Sequence, residues 1–218
     1  MPAIDKRIFQ KIFTSTPKTV SRAIKDLCRE LSPDHRPLLM KVTPERGAET
    51  GACFHNVQAK IARDGGEILY GWTIWEWPQV FIEAEHHAVW KYGEELVDVT
   101  PPYSGEKRLM FLPDPSRVYD YETKRRILNV KRSLGSIPAA QRWIDATQSL
   151  QEFMESRSEG DTITFNPAEA APLYERMQRA QGEILVSLAA RTNPNDPCFC
   201  GATRKFRKCC GQMIDLNA

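Results

Sequence analysis

Long apolar runs are missing from this chain: nothing in its 218 residues approaches the ~20 apolar residues of a membrane-spanning helix. The start, "MPAIDKRIFQKIF", contains no uninterrupted apolar stretch of the secretory kind, so a protein without an export signal, and hence a cytoplasmic one, is expected. Net charge is also scarce. Thirty Lys and Arg oppose 28 Asp and Glu, so overall charge selects no class of partner. Cysteine is nearly absent from the first 197 residues, where only Cys28 and Cys53 occur, and then four crowd into residues 198–210. In a reducing compartment such a cluster reads as metal ligation before disulfides. No internal repeat or long low-complexity tract is visible. What remains, at 41% hydrophobic and 27% charged, is ordinary globular composition, enough for one good core with an appendage or two small domains.

Periodicity predicts an α+β protein. Residues 4–31 read as helical, with Val20, Ile24 and Leu27 on one stripe and Cys28 continuing it as a small buried hydrophobe. His35 falls in the loop "SPDHRP" and has no role. "PLLMKVTP" reads as a short strand. "CFHNVQAKIARDGG" places Phe54, Val57 and Ile61 on one helical face and stops at paired glycines. "EILYGWTIWEWP", "QVFIEAEHHAVW" and "ELVDVTP" then follow as strands. Trp72 and Trp75 fall on opposite strand faces, so at least one is core, and Trp77 is expected beside a cleft. Residues 116–134, 137–157 and 167–190 read as helices, the last with Leu173, Met177, Ile184 and Leu188 on its apolar stripe. "RTNPNDP" reads as a linker.

The second and third of those strands carry chemistry. Paired about Tyr92-Gly93 as a two-residue loop, with Gly93 supplying the positive φ, they set Lys91 against Glu94 and His87 against Asp98. A three-residue loop would set His86 there instead. Opposite side chains share a face at ~5 Å between Cβ atoms, within reach of an imidazole–carboxylate hydrogen bond. Thr50 as N-cap puts Cys53 in a first helical turn, where unpaired N–H groups and the helix dipole favour thiolate. Cys53, His87 and Asp98 then make a nucleophile, a base and an orienting carboxylate. Two alternatives stand beside this: Cys53 packing on Val57 with an ordinary cross-strand pair, or a metal site from Cys53, His55, His86 and His87. His55 turns away from Cys53 on the helix.

"GACFHN", "HAVW" and "LVDVTPP" together resemble the transglutaminase-like group of papain-fold cysteine enzymes, over about residues 45–115. The resemblance implies a small helix-plus-antiparallel-sheet core in which Cys53, His87 and Asp98 inherit the catalytic roles. Two departures are visible. The aromatic usually two places after His is Val89, with Trp90 one later, and no oxyanion-hole Gln lies just upstream of Cys53.

In "NDPCFCGATRKFRKCCG" a C-x-C pair, eight residues and then C-C supply four thiolates that a short turn can fold around one tetrahedral Zn²⁺. A pair of disulfides is the alternative, and the adjacent Cys209 and Cys210 make vicinal pairing strained. The run resembles the SEC-C motif, the zinc-binding tail of the SecA preprotein-translocation ATPase and of many unrelated bacterial proteins. That resemblance implies Cys198, Cys200, Cys209 and Cys210 as zinc ligands, and a docking module for a chaperone, the ribosome or another nucleic-acid-rich partner. Arg204, Lys205, Arg207 and Lys208 around Phe206 suggest a cationic face with an aromatic centre.

The expected organisation is N-terminal helices (1–36), a transglutaminase/papain-like core (37–115), a helical region (116–190), a linker (191–197) and the SEC-C tail (198–218). The expected activity is amide acyl transfer or hydrolysis on a peptide or protein substrate. The rival is a non-catalytic adaptor that docks to an acidic partner through its zinc tail.

Overall fold

The computed structural model describes residues 2–124, 127–159, 162–216 and 218. In chain order the elements are β1 (Ala3–Ile4), a 3₁₀ turn (Lys6–Gln10), α1 (Arg22–Leu31), β2 (Leu38–Val42), α2 (Cys53–Asp64), β3 (Glu67–Trp77), β4 (Phe81–Tyr92) and β5 (Glu95–Asp98). Then come β6 (Arg108–Pro113), β7 (Val130–Ser133), α3 (Ala139–Ser156), β8 (Ser158–Glu159), β9 (Thr162–Ile163), α4 (Pro167–Arg191), two further 3₁₀ turns and β10 (Ile214–Asp215). The chain divides into two units: residues 1–15, 77–81 and 132–218 form one, and residues 16–76 and 82–131 the other.

The unit of residues 16–76 and 82–131 is built on a closed five-stranded barrel. Its strands run β3-β6-β2-β5-β4, β4 pairs back to β3, and β7 joins the sheet beside β4. Strand β2 runs parallel to β5 (Lys41↔Val97, Val42↔Asp98) and antiparallel to β6. The expected all-antiparallel sheet is therefore corrected to a mixed one. Closure removes exposed strand edges, and it depends on β6, "RLMFLP", a strand beyond those expected from the sequence. Every barrel strand contributes to one apolar cluster: Met40, Val42, Val89, Leu109 and Phe111, with Leu38, Leu69 and Leu96 against them. Gly71 is where β3 and β6 come closest. A Cβ there would run into the Leu112 carbonyl oxygen and lie 2.6 Å from the Phe111 ring.

Helix α2 lays Cys53, Phe54 and Val57 onto a second cluster with Tyr70, Ala88, Trp90, Val97, Val99 and Tyr119. It ends at Gly65, whose φ of 74° an L side chain adopts only at a cost. Residues 116–124 and 127–129 are turns and irregular chain, and 130–133 is a strand, so the helix expected over 116–134 is not formed there; residues 125–126 lie outside the described set. The reason is local. Asp114 and Asp120 spend their carboxylates on nearby turn groups, Ser116 Oγ and the Glu122 and Thr123 amides, which competes with helix. Tyr119 meanwhile stacks on Phe54, with ring centroids 4.2 Å apart.

In the other unit α3 and α4 form its helical part, close to the expected 137–157 and 167–190. Asn166 caps α4 by accepting the Ala168 amide, and Pro167 starts it. The core joins Ile8, Phe13, Trp77, Phe81, Ile144, Ile184 and Leu188 with Cys198, Phe199, Phe206, Cys209, Cys210 and Ile214. Trp77 is 2% exposed and stacks on Phe13 at 4.7 Å, so it borders no cleft. The helical expectation for residues 4–31 also changes: β1 pairs with β10 (Ala3↔Asp215, Ile4↔Ile214), and within that range only residues 22–31 form an α-helix. Residues 191–197 do not set the cysteine-rich segment apart, because its buried side chains share this core.

Candidate active site and candidate metal centre

The β4–β5 turn is two residues long, but it falls at Gly93-Glu94. The observed partners are Tyr92↔Glu95, Lys91↔Leu96 and Trp90↔Val97. One step further, Asp98 faces Val89, so both registers considered from the sequence are corrected. A shift of two residues keeps the face unchanged because strand side chains alternate with period two. His87 thus reaches Asp98 diagonally, with Nε2 3.2 Å from Oδ2 and the two side chains 13% and 3% exposed. The approach has ion-pair distance, yet Nε2 is not aligned for a hydrogen bond with any group.

Cys53 opens α2 as expected, but Ala52 rather than Thr50 is the N-cap, and no side chain caps this end. The entry loop is fixed instead by Asn56, whose amide accepts from Glu49 N (3.0 Å) and donates to Glu49 O (2.8 Å) and Thr100 Oγ1 (3.1 Å). Thr100 N in turn donates to Asp98 Oδ1 at 2.9 Å. Asn56 and Thr100 were not singled out from sequence; their signal, a helix-facing Asn and the Thr of "DVT", becomes readable only once α2 lies against β5. Around His87, burial disfavours the charged ring. The Cys53 sulfur and the Asp98 carboxylate outweigh burial chiefly by charge, and they hold the pKa well above the ordinary histidine value.

His86 faces the other way. It is 7% exposed, its ring lies 4.9 Å from Phe54, and its Nε2 is 2.6 Å from the Arg117 carbonyl. Burial pushes its pKa down. His55 is exposed and meets Tyr119 and Tyr121 edge-on. Cys53, His55, His86 and His87 do not gather as a metal-ligating group among the described residues. Cys28 is buried, and its thiol is pushed up to about 11 by desolvation.

The four C-terminal cysteines do gather: all their sulfurs lie within 4.8 Å of one another. Cys198 and Cys200 are 3.4 Å apart, and Cys200 and Cys209 are 3.6 Å apart. Zn–S bonds of ~2.3 Å in a tetrahedron require sulfurs roughly 3.8 Å apart, so the donor set fits that ion. Crowding also divides the thiols. Hydrogen bonding with Cys210 pulls Cys200 down to about 4, the reciprocal bond pushes Cys210 up, and burial pushes Cys198 up. A divalent cation is what would let all four ionise together. Lys11 Nζ approaches Cys209 and Cys210 at 3.6 and 3.7 Å, and Arg204 Nη2 lies 3.9 Å from Cys209. Arg204, Lys205, Arg207 and Lys208 are exposed, but Phe206 is 8% exposed, so the basic face has no aromatic centre.

No helix among the described residues is long and apolar enough to cross a membrane. No curated protein and no solved structure matches the chain. Residues 195–212 match the SEC-C motif, and the match takes in all four clustered cysteines.

Proposed function

We propose that this is a zinc-binding SEC-C protein whose barrel unit carries a thiol site for acyl transfer or hydrolysis at an amide. The zinc reading is supported by the motif match and by four sulfurs that all lie within 4.8 Å of one another. The catalytic reading is carried by one observation: His87 Nε2 lies 3.2 Å from Asp98 Oδ2, and both that carboxylate and the Cys53 sulfur act to raise the pKa of the ring. A Cys at a helix start with His and Asp on the following strands also supports a transglutaminase- or papain-like core, with the parallel β2–β5 pair as its departure.

In this mechanism the Cys53 sulfur attacks the carbonyl carbon, and the C–N bond breaks to leave a thioester. His87 gives its proton to the departing amine. Water or a second amine then attacks the thioester, His87 takes the proton, and Cys53 leaves. Asp98, 3.2 Å from Nε2, holds that side of the ring and stabilises the imidazolium by its charge, which leaves Nδ1 as the nitrogen for the sulfur. A peptide or protein amide is the substrate class, and the cytoplasm suits a chain whose six cysteines are all free.

The test is alkylation of zinc-loaded full-length protein at pH 7 with iodoacetamide, read at each cysteine by mass spectrometry. Cys53 should label well ahead of Cys28, His87→Ala should slow it sharply, and His86→Ala should not. Equal rates at Cys53 and Cys28, unchanged by His87→Ala, would remove the catalytic reading. They would favour the second one, a non-catalytic adaptor, which draws support from Cys53 being only 6% exposed. Its exposed basic residues would dock on a chaperone, the ribosome or another acidic partner, with binding that weakens as salt rises.

A further inference from the structure

The metal-binding motif ends at residue 212, yet the cation nearest its sulfurs comes from the other end of the chain. Lys11 is held there by a series of contacts. Strand β1 pairs with β10 just beyond Cys210, Asp5 N donates to Met213 O at 2.8 Å, and Ile8 is fully buried in the same core as the cysteines. The Lys11 ammonium ends 3.6 Å from Cys209 Sγ and 3.7 Å from Cys210 Sγ in partly buried surroundings. Arg204 approaches Cys209 from within the motif at 3.9 Å.

Four thiolates around one divalent ion carry a formal charge of minus two. In a core this apolar that charge is costly unless cations sit beside it. Donors to ligating sulfur also withdraw electron density and hold the ligand in place. A solvated surface lysine would gain little from turning toward sulfur, whereas Lys11 is anchored by the β1 pairing and buried Ile8 before it and by buried Phe13 after it.

We propose that Lys11 is part of the metal centre: it is the counter-charge and sulfur hydrogen-bond donor that, with Arg204, neutralises the zinc tetrathiolate. The inference rests on reading the four cysteines as a zinc site. It makes the N-terminal segment a component of that site, and it divides the ligands. Cys209 receives two cationic donors, Cys210 one, and the Cys198–Cys200 pair neither.

The experiment uses the full chain. Wild type, Lys11→Met, Lys11→Arg and Lys11→Glu are loaded with Zn²⁺ and titrated against a chromophoric chelator. The Co²⁺-substituted forms are compared by their thiolate-to-metal charge-transfer absorption. Met keeps most of the aliphatic packing of Lys and removes both the charge and the N–H donors. Lys11→Met should weaken Zn²⁺ retention roughly tenfold, the low end of what second-shell changes cost, and it should shift the Co²⁺ band. Lys11→Glu should weaken retention further, and Lys11→Arg should restore most of it. Retention within twofold of wild type in both Met and Glu variants, with an unmoved Co²⁺ band, overturns the role of Lys11 and leaves the zinc reading intact. A wild-type protein that holds no Zn²⁺ or Co²⁺ overturns both.

Discussion

His87 and Asp98 meet on the diagonal of their hairpin: Asp98 lies across from Val89, and the His87 ring spans the offset to bring Nε2 within 3.2 Å of Oδ2. The contact is made on one strand face, with His86 on the other, so burial dominates at His86 while Cys53 and Asp98 dominate at His87.

Their titrations should therefore separate. Imidazole NMR of the full-length protein should give His87 a midpoint well above, and His86 a midpoint below, the ordinary ~6.5. Asp98→Asn should bring the His87 midpoint down. Two midpoints near ~6.5 would mean that neither burial nor the anionic neighbours govern these rings.

The same pair predicts a pH-dependent stability. The folded-state pKa of His87 is raised, so its stabilising contribution is fully present below the unfolded value near ~6.5 and is lost as pH rises through the folded one. Asp98→Ala leaves a buried imidazolium without its partner and should cost about 3 kcal/mol in that lower range. Urea denaturation at a series of pH values should show the deficit of the variant shrinking toward alkaline pH. A deficit that grows with pH would contradict the assigned charge states.

Zinc removal should reach well beyond the motif. Phe199, Phe206 and the cysteines share one core with Ile8, Phe13 and Trp77, so chelation should lower the melting temperature of that whole unit. Phe199→Ala should cost about 3 kcal/mol, the usual price of a buried aromatic. A chain ending at Asn195 should unfold at lower temperature or aggregate. If it melts like the full chain, residues 196–218 are an independent tail after all.

Gly71→Ala tests barrel closure. The new methyl meets the Leu112 carbonyl and the Phe111 ring where β3 pairs with β6, and overpacking of this kind costs about 1–3 kcal/mol or more. Gly93→Ala, at a turn open to solvent but with φ of 56°, should cost less because only backbone strain is involved. Equal effects would show that the β3–β6 approach is looser than described.

Read alone, the sequence determined what depends on neighbours along the chain. The 3.6-residue stripe of Phe54, Val57 and Ile61 and the paired glycines after them define α2; the apolar stripe from Leu173 to Leu188 marks α4. A C-x-C and C-C pair thirteen residues across brings four sulfurs together through one local turn, which is why the cysteine cluster was legible as a candidate metal centre. The face shared by His87 and Asp98 was legible too, because strand alternation survives a register error of two. Tertiary structure decided the rest. The parallel β2–β5 pair and the closure through β6 join segments far apart in sequence, and no local pattern encodes which edge meets which. The turn bonds of Asp114 and Asp120, with Tyr119 stacked on Phe54, hold residues 116–124 out of the helix that their composition suggested. Lys11 reaches Cys209 across 198 positions because a short strand at one end of the chain hydrogen-bonds to a short strand at the other. Burial energy and strand pairing act through space, and those long-range terms set the register, the barrel and the company of the sulfurs.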